Sequence, residues 1–197
     1  MNERHLQLCA SAEWAEIVQR EILPWAVGDR DLGQDVLEVG PGPGQTTDVL
    51  RQQIRHLTAV EVDPTLASRL GERLKGTNVA VVNADATALP FGDGRFSAAT
   101  SFTMLHHLPS VEAQDSLLRE VRRVLRRDGL LIGVDSIDRP EWRELHVGDT
   151  CVPVQPSELS ERLRRAGYVD VEVALESRPE ADGPARRFRF AARTAIR

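Results

Sequence analysis

The feature that most constrains the fold of this chain is a repeated alternation between short β-forming runs and longer amphipathic segments. Such alternation is typical of an α/β fold in which helices join parallel strands. The predicted strands are 36–39, 57–62, 79–82, 96–101, 130–134, 169–173 and 187–192. The run 130–134 is apolar throughout, as expected for a central strand covered on both faces. We therefore predict a doubly wound, mostly parallel sheet of seven strands.

The two ends of the chain carry different patterns. Residues 4–22 repeat apolar side chains at helical spacing, which predicts one opening helix that Pro24 stops. Residues 169–173 and 187–192 alternate apolar and polar side chains with no helical crossover between them. This pattern predicts an antiparallel hairpin at one edge of the sheet. The intervening segment 176–185 is rich in charge, proline and glycine, and is predicted to be an exposed loop.

Four more helices are predicted, over 46–54, from Pro64 onward, over 111–126 and over 156–166, and Asp128 and Gly129 close the third of them. The length of 197 residues suits one domain. We expect an N-terminal helical cap over 1–33, a central core over 34–136, and a C-terminal helix with edge strands over 137–197.

Composition excludes several classes of protein. The net charge of −5 argues against nonspecific nucleic-acid binding, and the arginines between residues 119 and 127 are predicted to lie on a solvated helix face. The sequence has neither an apolar run long enough for a membrane span nor a secretory signal pattern, so a cytoplasmic protein is expected. Cys9 and Cys151 lack metal-ligand spacing, which predicts reduced thiols and no metal site.

A glycine-rich turn directly follows the first predicted strand. Its sequence EVGPGPG contains Glu38, Gly40, Pro41, Gly42 and Gly44. Glycines let the backbone turn tightly and approach a ligand closely, and a helix start behind the turn offers free N–H groups. The third glycine comes too early for the dinucleotide pattern G-x-G-x-x-G, and an acid stands two residues before the first glycine. The turn therefore indicates a nucleotide-like ligand, and the negative charge of Glu38 disfavours a dinucleotide pyrophosphate beside it.

An acidic residue also ends the second predicted strand. Glu61 precedes Val62, and a carboxylate at this position can accept hydrogen bonds from both hydroxyls of a ribose. Asp63 is the alternative acceptor, but it stands before Pro64 and fits the N-cap of the next helix. Nicotinamide-dependent enzymes and other nucleotide-binding proteins both carry such an acid, so this feature does not discriminate between them.

The segment after the third strand does discriminate between nicotinamide-dependent enzymes and other nucleotide-binding proteins. It reads NADATALPF and contains Asp85 and Ala86. Together with the glycine-rich turn, it resembles the class I S-adenosylmethionine-dependent methyltransferases, specifically their small-molecule, UbiE-like (type 11) branch. The resemblance implies a Rossmann-like fold, the cofactor S-adenosylmethionine and the product S-adenosylhomocysteine. It also implies that Glu38 helps to hold the methionine end, that the Asp85 carboxylate accepts from the adenine amine, and that the Ala86 N–H donates to the adenine ring.

The same resemblance covers the stretch SFTMLHHLP after the fourth strand. It implies that the backbone near Ser101 meets the methionine group and that the two histidines lie by the reaction centre. His106 is a candidate general base, because the pKa of histidine is near neutrality. In the alternative, one histidine of the pair packs against the cofactor or caps a helix, and the other faces solvent.

Three functions remain open from the sequence. The first is methyl transfer to an oxygen, nitrogen or carbon atom of a small-molecule acceptor. The second is a nicotinamide-dependent oxidoreductase, and the third is a non-catalytic, cofactor-binding or regulatory protein on the same fold. Selectivity is expected from the opening helix and residues 137–155, with Trp14 a core residue rather than a substrate platform. These two segments can form only a small lid over the pocket. The pocket is therefore predicted to be open, or to be completed by a second subunit in a homodimer.

Overall fold

All seven predicted strands join in one sheet in the computed structural model, which describes residues 1–177 and 185–196. The strands are β1 (Asp35–Val39), β2 (His56–Glu61), β3 (Val79–Asn83), β4 (Phe96–Phe102), β5 (Leu125–Ser136), β6 (Tyr168–Leu175) and β7 (Arg187–Thr194). The predicted loop 176–185 lies for the most part outside the described residues.

The strand order is β3-β2-β1-β4-β5-β7-β6. Neighbours from β3 through β5 pair in parallel, whereas β7 is antiparallel to both β5 and β6. This order confirms the doubly wound, mostly parallel sheet and its antiparallel C-terminal pair. The chain runs outward from β1 to β3 and then returns to β4 on the other side of β1. In such sheets a ligand binds in the crevice beyond the carboxyl ends of the strands at this reversal.

Eight α-helices are found in the described part of the chain. They are α1 (Glu3–Cys9), α2 (Ala12–Ile17), α3 (Leu23–Val27), α4 (Gln45–Leu50), α5 (Pro64–Arg73), α6 (Val111–Val124), α7 (Pro140–Leu145) and α8 (Pro156–Arg165). Among these residues, none of the helices has the length and apolar character that a membrane crossing requires.

The core lies on both faces of the sheet. On β5, Leu130 and Ile132 pack into the cluster that includes the N-terminal helices, whereas Leu131 packs into the cluster that includes α6 and α8. All three side chains are buried. Because successive strand residues point to opposite faces, an uninterrupted apolar run is what a strand covered on both sides requires.

The single opening helix predicted over 4–22 is wrong. The Ser11 hydroxyl accepts from the backbone N–H of Trp14, so a new helix begins after α1. Residues Val18–Ile22 then form a π-helical turn, and the N–H of Leu23 donates to the Val18 carbonyl five residues back. Pro24 does not stop the run, because it lies in the first turn of α3, where its missing N–H costs little.

Two other predicted helices are too long at their C-terminal ends. The helix predicted over 46–54 ends at Leu50, and the one predicted over 111–126 ends at Val124. Leu125 is buried and pairs with Phe96 of β4, so burial and strand pairing outweigh the helical spacing of the arginines. Asp128 and Gly129 therefore belong to the beginning of β5 rather than to a helix end.

Candidate functional site

A cavity of about 540 Å³ opens at the carboxyl ends of β1, β2, β3 and β4. This volume is within the usual range for small-molecule sites. Predicted site residues that line the cavity are Gly40, Pro41, Gly42, Glu61, Val62, Asp85 and Ala86. The structure thus brings together residues from three separate strand ends. The wall does not include Glu38, Gly44, Ser101 or His106.

The glycine-rich turn adopts backbone conformations that other residues rarely take. Gly40 has φ +68° and Gly42 has φ +54°. A Cβ atom on Gly40 would overlap the side chain of Met104, which also lines the cavity. Gly44 has φ +92° and precedes α4, so it shapes the turn from outside the wall. These glycines are therefore needed both for the turn and for the close packing around it.

Glu61 is fixed by two backbone hydrogen bonds. Its Oε2 accepts from the N–H of Gly42 at 3.0 Å, and its Oε1 accepts from the N–H of Asp63 at 3.0 Å. The residue is 6% exposed and lies in the cavity wall. Each carboxylate oxygen can accept a second hydrogen bond. Glu61 therefore joins the glycine-rich turn to the end of β2 and keeps acceptor capacity for a ligand.

Asp63 acts as the predicted N-cap. One of its carboxylate oxygens accepts from the N–H groups of Thr65 and Leu66, and Pro64 begins α5. Asp63 also lines the cavity, but that capping oxygen already satisfies two backbone donors. The other oxygen of Asp63 has no hydrogen-bond partner among the described residues, so Asp63 remains the alternative acceptor to the more buried Glu61.

The segment after β3 turns around an aspartate. Asp85 Oδ1 accepts from both the N–H and the hydroxyl of Thr87, each at 2.8 Å. This pattern is an Asx turn, which holds the side chain against its own backbone. The carboxylate stays exposed at the cavity wall. One carboxylate oxygen thus shapes the turn, and the other has no hydrogen-bond partner among the residues that the structure describes.

An arginine on α6 holds the remainder of that segment. The Arg123 guanidinium donates to the carbonyls of Leu89 and Phe91 and forms a two-point ion pair with Glu120. Glu120 in turn accepts from the N–H of Leu89. The side chain of Arg123 is 33% exposed, so the predicted solvated helix face holds for this residue only in part. Its only sequence signal was an acid three positions earlier on the same helix.

Glu38 lies behind the glycine-rich turn. Its two carboxylate oxygens accept from the hydroxyls of Thr46 and Thr47 at the start of α4. Burial raises the pKa of Glu38 to about 7, although the two threonine hydroxyls partly oppose this shift. In the structure Glu38 therefore stabilises the turn by tying β1 to α4.

This burial predicts a pH-dependent stability. Between about pH 4.5 and 7 the unfolded chain releases the Glu38 proton while the folded chain keeps it. The folded state then binds more protons, so the free energy of unfolding falls as pH rises, by about 2 kcal/mol from about pH 5 to 7. In Glu38→Gln, which keeps a hydrogen-bonding amide, this contribution should disappear. Urea titrations of both ligand-free proteins across this range measure it, and parallel pH profiles would contradict the assignment.

The end of β4 reaches the cavity beyond Ser101. The Ser101 side chain is buried, and its hydroxyl has no hydrogen-bond partner among the described residues. Phe102, Thr103 and Met104 line the cavity instead. Thr103 has φ +49°, and its N–H donates to the Val134 carbonyl at 2.7 Å. A non-glycine residue in this conformation stores strain, as is common at ligand-binding sites.

The two predicted histidines lie in a short 3₁₀ helix, Leu105–His107, and differ in exposure. His106 is 1% exposed, and its Nδ1 lies 2.6 Å from the Asp135 carboxylate. Its Nε2 lies 3.2 Å from Nε2 of His146. His107 lines the cavity, and its Nδ1 lies 3.2 Å from the Thr150 carbonyl oxygen. The structure therefore places His107, and not His106, at the cavity.

The two cysteines and Trp14 lie near the cavity or the core around it. Cys9 and Cys151 are free, partly buried thiols, and burial raises the pKa of each to about 11. Both thiols are therefore protonated and weakly reactive at neutral pH. Trp14 packs against the core cluster formed with the N-terminal helices, but its remaining surface lines the cavity, so the prediction of a core residue holds only in part.

The chain is similar in sequence to known methyltransferases. A family model described as a methyltransferase domain matches residues 37–133. The uncharacterised methyltransferase YodH of Bacillus subtilis is 30% identical over 156 residues, which cover 75% of this chain and 64% of YodH. The probable S-adenosylmethionine-dependent methyltransferase Rv3030 of Mycobacterium tuberculosis is 30% identical over 165 residues, covering 79% of this chain and 54% of Rv3030. The chain therefore carries a methyltransferase domain over residues 37–133 and is similar in sequence to S-adenosylmethionine-dependent methyltransferases.

Solved structures of these methyltransferases share the fold. The putative methyltransferase of Haloferax volcanii, in its complex with the Trm112 activator, superposes with a TM-score of 0.74 at 15% identity and covers 99% of both chains. S-adenosylmethionine is the cofactor of the family, as the sequence predicted. The chain spans 64% and 54% of the lengths of YodH and Rv3030.

Proposed function

We propose that this chain binds S-adenosylmethionine in the cavity and transfers its methyl group to an oxygen, nitrogen or carbon atom of a small-molecule acceptor. The observation that carries the proposal is the meeting of Gly40, Gly42, Glu61 and Asp85 around one cavity. Each comes from the end of a different parallel strand or from the turn behind it. A nucleoside joined to an amino acid needs this combination of a close backbone approach and separated acceptors.

The nucleoside would lie between β2 and the segment after β3. The free acceptor sites of Glu61 would bind the two ribose hydroxyls, because its orientation is already fixed by Gly42 and Asp63. The oxygen of Asp85 that does not bind Thr87 would accept from the adenine amine, and the Ala86 N–H would donate to the ring. The Arg123–Glu120 pair supports this pose by holding the backbone at Leu89 and Phe91.

The methionine end would lie along the glycine-rich turn. Gly40 and Pro41 line this part of the cavity, and Thr103 and Met104 face them from the end of β4. We assign Glu38 and Ser101 to positioning, since both side chains are buried behind the wall. Glu38 would act through Thr46, which it binds and which lines the cavity.

Bound S-adenosylmethionine supplies a methyl group that is already activated by the positive charge on sulfur. The chain's task is to hold the acceptor atom in line with that group and to exclude water, and such positioning lowers a barrier by up to about 7–11 kcal/mol. Direct proton transfer from the acceptor to His106 is not available in this arrangement, because His106 lies behind the wall with both ring nitrogens engaged. Positioning therefore carries the proposed reaction.

The acceptor would occupy the part of the cavity that faces the N-terminal helices. Its wall is mainly apolar there, with contributions from Trp14, Val18, Ile22, Phe102 and Leu108. Apolar walls with few polar groups suit a small molecule with an apolar body. The net charge of −5 also disfavours a nucleic-acid acceptor.

Calorimetry with S-adenosylmethionine, S-adenosylhomocysteine and NAD tests the cofactor. We expect both sulfur nucleotides to bind and NAD not to bind, and binding of NAD alone would refute the proposal. Turnover is then followed as S-adenosylhomocysteine formation over a panel of small phenols, amines and carbon acids, with a short RNA as a comparison. Formation only with RNA would refute the small-molecule acceptor, and cofactor binding without turnover on any acceptor would favour a regulatory protein.

The adenine contact gives a sharper prediction. In Asp85→Asn the side-chain oxygen still accepts from Thr87, but the second position becomes an NH₂ group that cannot accept from adenine. Affinity for S-adenosylhomocysteine should fall about 10-fold, as expected for the loss of one charged hydrogen bond. Calorimetry measures the change, with Asp29→Asn on the exposed surface as the matched control. Equal affinities of the two variants would place the adenine elsewhere.

A further inference from the structure

Four of the five histidines of this chain lie together at one end of the cavity. His5 comes from α1, His106 and His107 from the 3₁₀ helix after β4, and His146 from the end of α7. The ring centroids of His5 and His146 are 4.4 Å apart, and those of His5 and His107 are 5.0 Å apart. The family assignment does not account for such a gathering from three separate elements.

We propose that His5, His107 and His146 bind a divalent transition-metal ion, with Zn²⁺ as the best match. One ring nitrogen from each residue takes part, and the three nitrogens lie within 4.8 Å of one another. Nitrogens bound to zinc at about 2.0–2.1 Å in a tetrahedron stand about 3.4 Å apart, so small ring movements complete the site. The lack of metal-ligand spacing around Cys9 and Cys151 predicted no metal site, and the three histidines lie too far apart in the chain to form a recognisable motif.

The ring orientations of two ligands are already fixed. Nδ1 of His146 donates to the Trp142 carbonyl at 2.6 Å, and Nδ1 of His107 donates to the Thr150 carbonyl at 3.2 Å. A carbonyl can only accept, so the Nε2 atom of each ring presents its lone pair. Hydrogen bonds of this kind from the second nitrogen are what orient histidines in metal sites.

The third ligand has a carboxylate beside it. Asp149 Oδ2 lies 3.4 Å from Nδ1 of His5. A carboxylate behind a ligating histidine raises its basicity and orients its ring. Asp149 also lines the cavity, as does His107. The proposed ion would therefore stand in the cavity wall.

The charge state of the cluster agrees with this geometry. Burial, and then the neighbouring His146, lower the pKa of His5 to about 4. Burial, and then His106, lower the pKa of His107 to about 3. Burial also lowers the pKa of His146. Neutral imidazole is the form that binds a metal.

The ligand set selects the class of ion. Three imidazoles suit zinc, copper, nickel and iron, whereas magnesium and calcium prefer oxygen ligands. Catalytic zinc sites commonly have three protein ligands and one open position. Because His107 and Asp149 face the cavity, that position would take a heteroatom of the acceptor; this last step rests on the proposed function, and metal binding itself does not.

The alternative is a hydrogen-bonded cluster without metal. Nε2 of His106 lies 3.2 Å from Nε2 of His146, and a hydrogen between them would occupy the lone pair that the ion needs. His146 can make one of these two interactions at a time. Measured metal affinity therefore decides between the two states of the cluster.

The test uses the full chain without a histidine tag, stripped with a chelator and titrated with Zn²⁺ in a calorimeter. We expect one ion per chain, confirmed by elemental analysis, and a tetrahedral visible absorption spectrum when Co²⁺ replaces Zn²⁺. His107→Ala and His146→Ala should each weaken zinc affinity by about 100-fold or more, since even second-shell changes cost about 10–100-fold. His56→Ala is the control, because His56 is exposed at the start of β2, paired with Asp35.

Three results would overturn the metal site. The first is binding of less than one zinc ion per chain, and the second is an equal zinc affinity in His107→Ala and the wild type. The third is a loss of zinc affinity in His56→Ala as large as that in His107→Ala. Thermal unfolding shows whether each variant is folded. If His107→Ala is not folded, His107→Asn, which keeps a polar side chain at this half-buried position, replaces it. S-adenosylhomocysteine affinity is measured on the same preparations. Cofactor binding without zinc refutes only the metal site, and zinc binding without the cofactor refutes only the proposed function.

Discussion

Replacing Gly40 with alanine should lower the free energy of unfolding by about 3 kcal/mol and abolish measurable cofactor binding. The backbone at Gly40 has φ +68°, which strains any residue with a Cβ atom. The added methyl would also overlap Cγ of Met104 in the cavity wall. Left-handed strain costs about 1 kcal/mol, and forcing an extra carbon into a packed site costs about 1–3 kcal/mol more.

Urea unfolding and calorimetry with S-adenosylhomocysteine measure both effects. Gly76→Ala is a matched control, because Gly76 has φ +78° and no atom within 4 Å of the added Cβ. The difference between the two variants isolates the overlap with Met104. Adding Met104→Ala to Gly40→Ala should recover part of the lost stability. If Gly76→Ala is as destabilised as Gly40→Ala, the overlap with Met104 does not contribute to the loss of stability.

Glu61→Gln should weaken S-adenosylhomocysteine binding by about 100-fold or more. The carboxylate accepts from Gly42 and Asp63 on its two oxygens, so an amide must turn its NH₂ group towards one of these backbone donors. The turn and the end of β2 then lose their common anchor. The ribose also loses a charged acceptor, and hydrogen bonds to charged groups contribute about 1.5–3 kcal/mol each.

Calorimetry at one fixed pH gives this affinity, and the unfolding transition gives the stability of the same sample. Glu72→Gln on α5 is the control, since Glu72 is exposed and its ion pair with Lys75 is long, at 4.0 Å. An affinity for Glu61→Gln within about threefold of the control would exclude Glu61 as the ribose ligand. A loss of affinity with an unchanged unfolding transition would assign Glu61 to binding rather than to folding.

Much of the fold, and the meeting of several candidate cofactor residues at one cavity, could be predicted from the sequence. The strand period of two, the apolar run in β5 and the glycines after β1 act locally, and each specifies its own element. The carboxyl ends of parallel strands meet at one edge, so Glu61 and Asp85 had to lie near the glycine-rich turn once the strand order was right.

The remaining features depend on contacts between distant segments. The π-helical turn before Pro24 follows from packing of the N-terminal helices, and local propensity alone indicated a stop. Arg123 looked solvated because its partners at Leu89 and Phe91 lie 34 and 32 residues away. The histidine cluster joins His5 to His146 across most of the chain, and single-sequence spacing carries no signal for such a meeting.

The insertion of β7 between β5 and β6 has a consequence for synthesis on the ribosome. In the sheet, β6 is bonded to β7 alone, and β7 follows β6 in the chain. Until residues 187–194 are available, β5 presents an open edge and β6 has no neighbour within the described sheet. The nascent chain therefore has an unpaired strand edge until β7 is available, and such an edge is open to pairing with another chain.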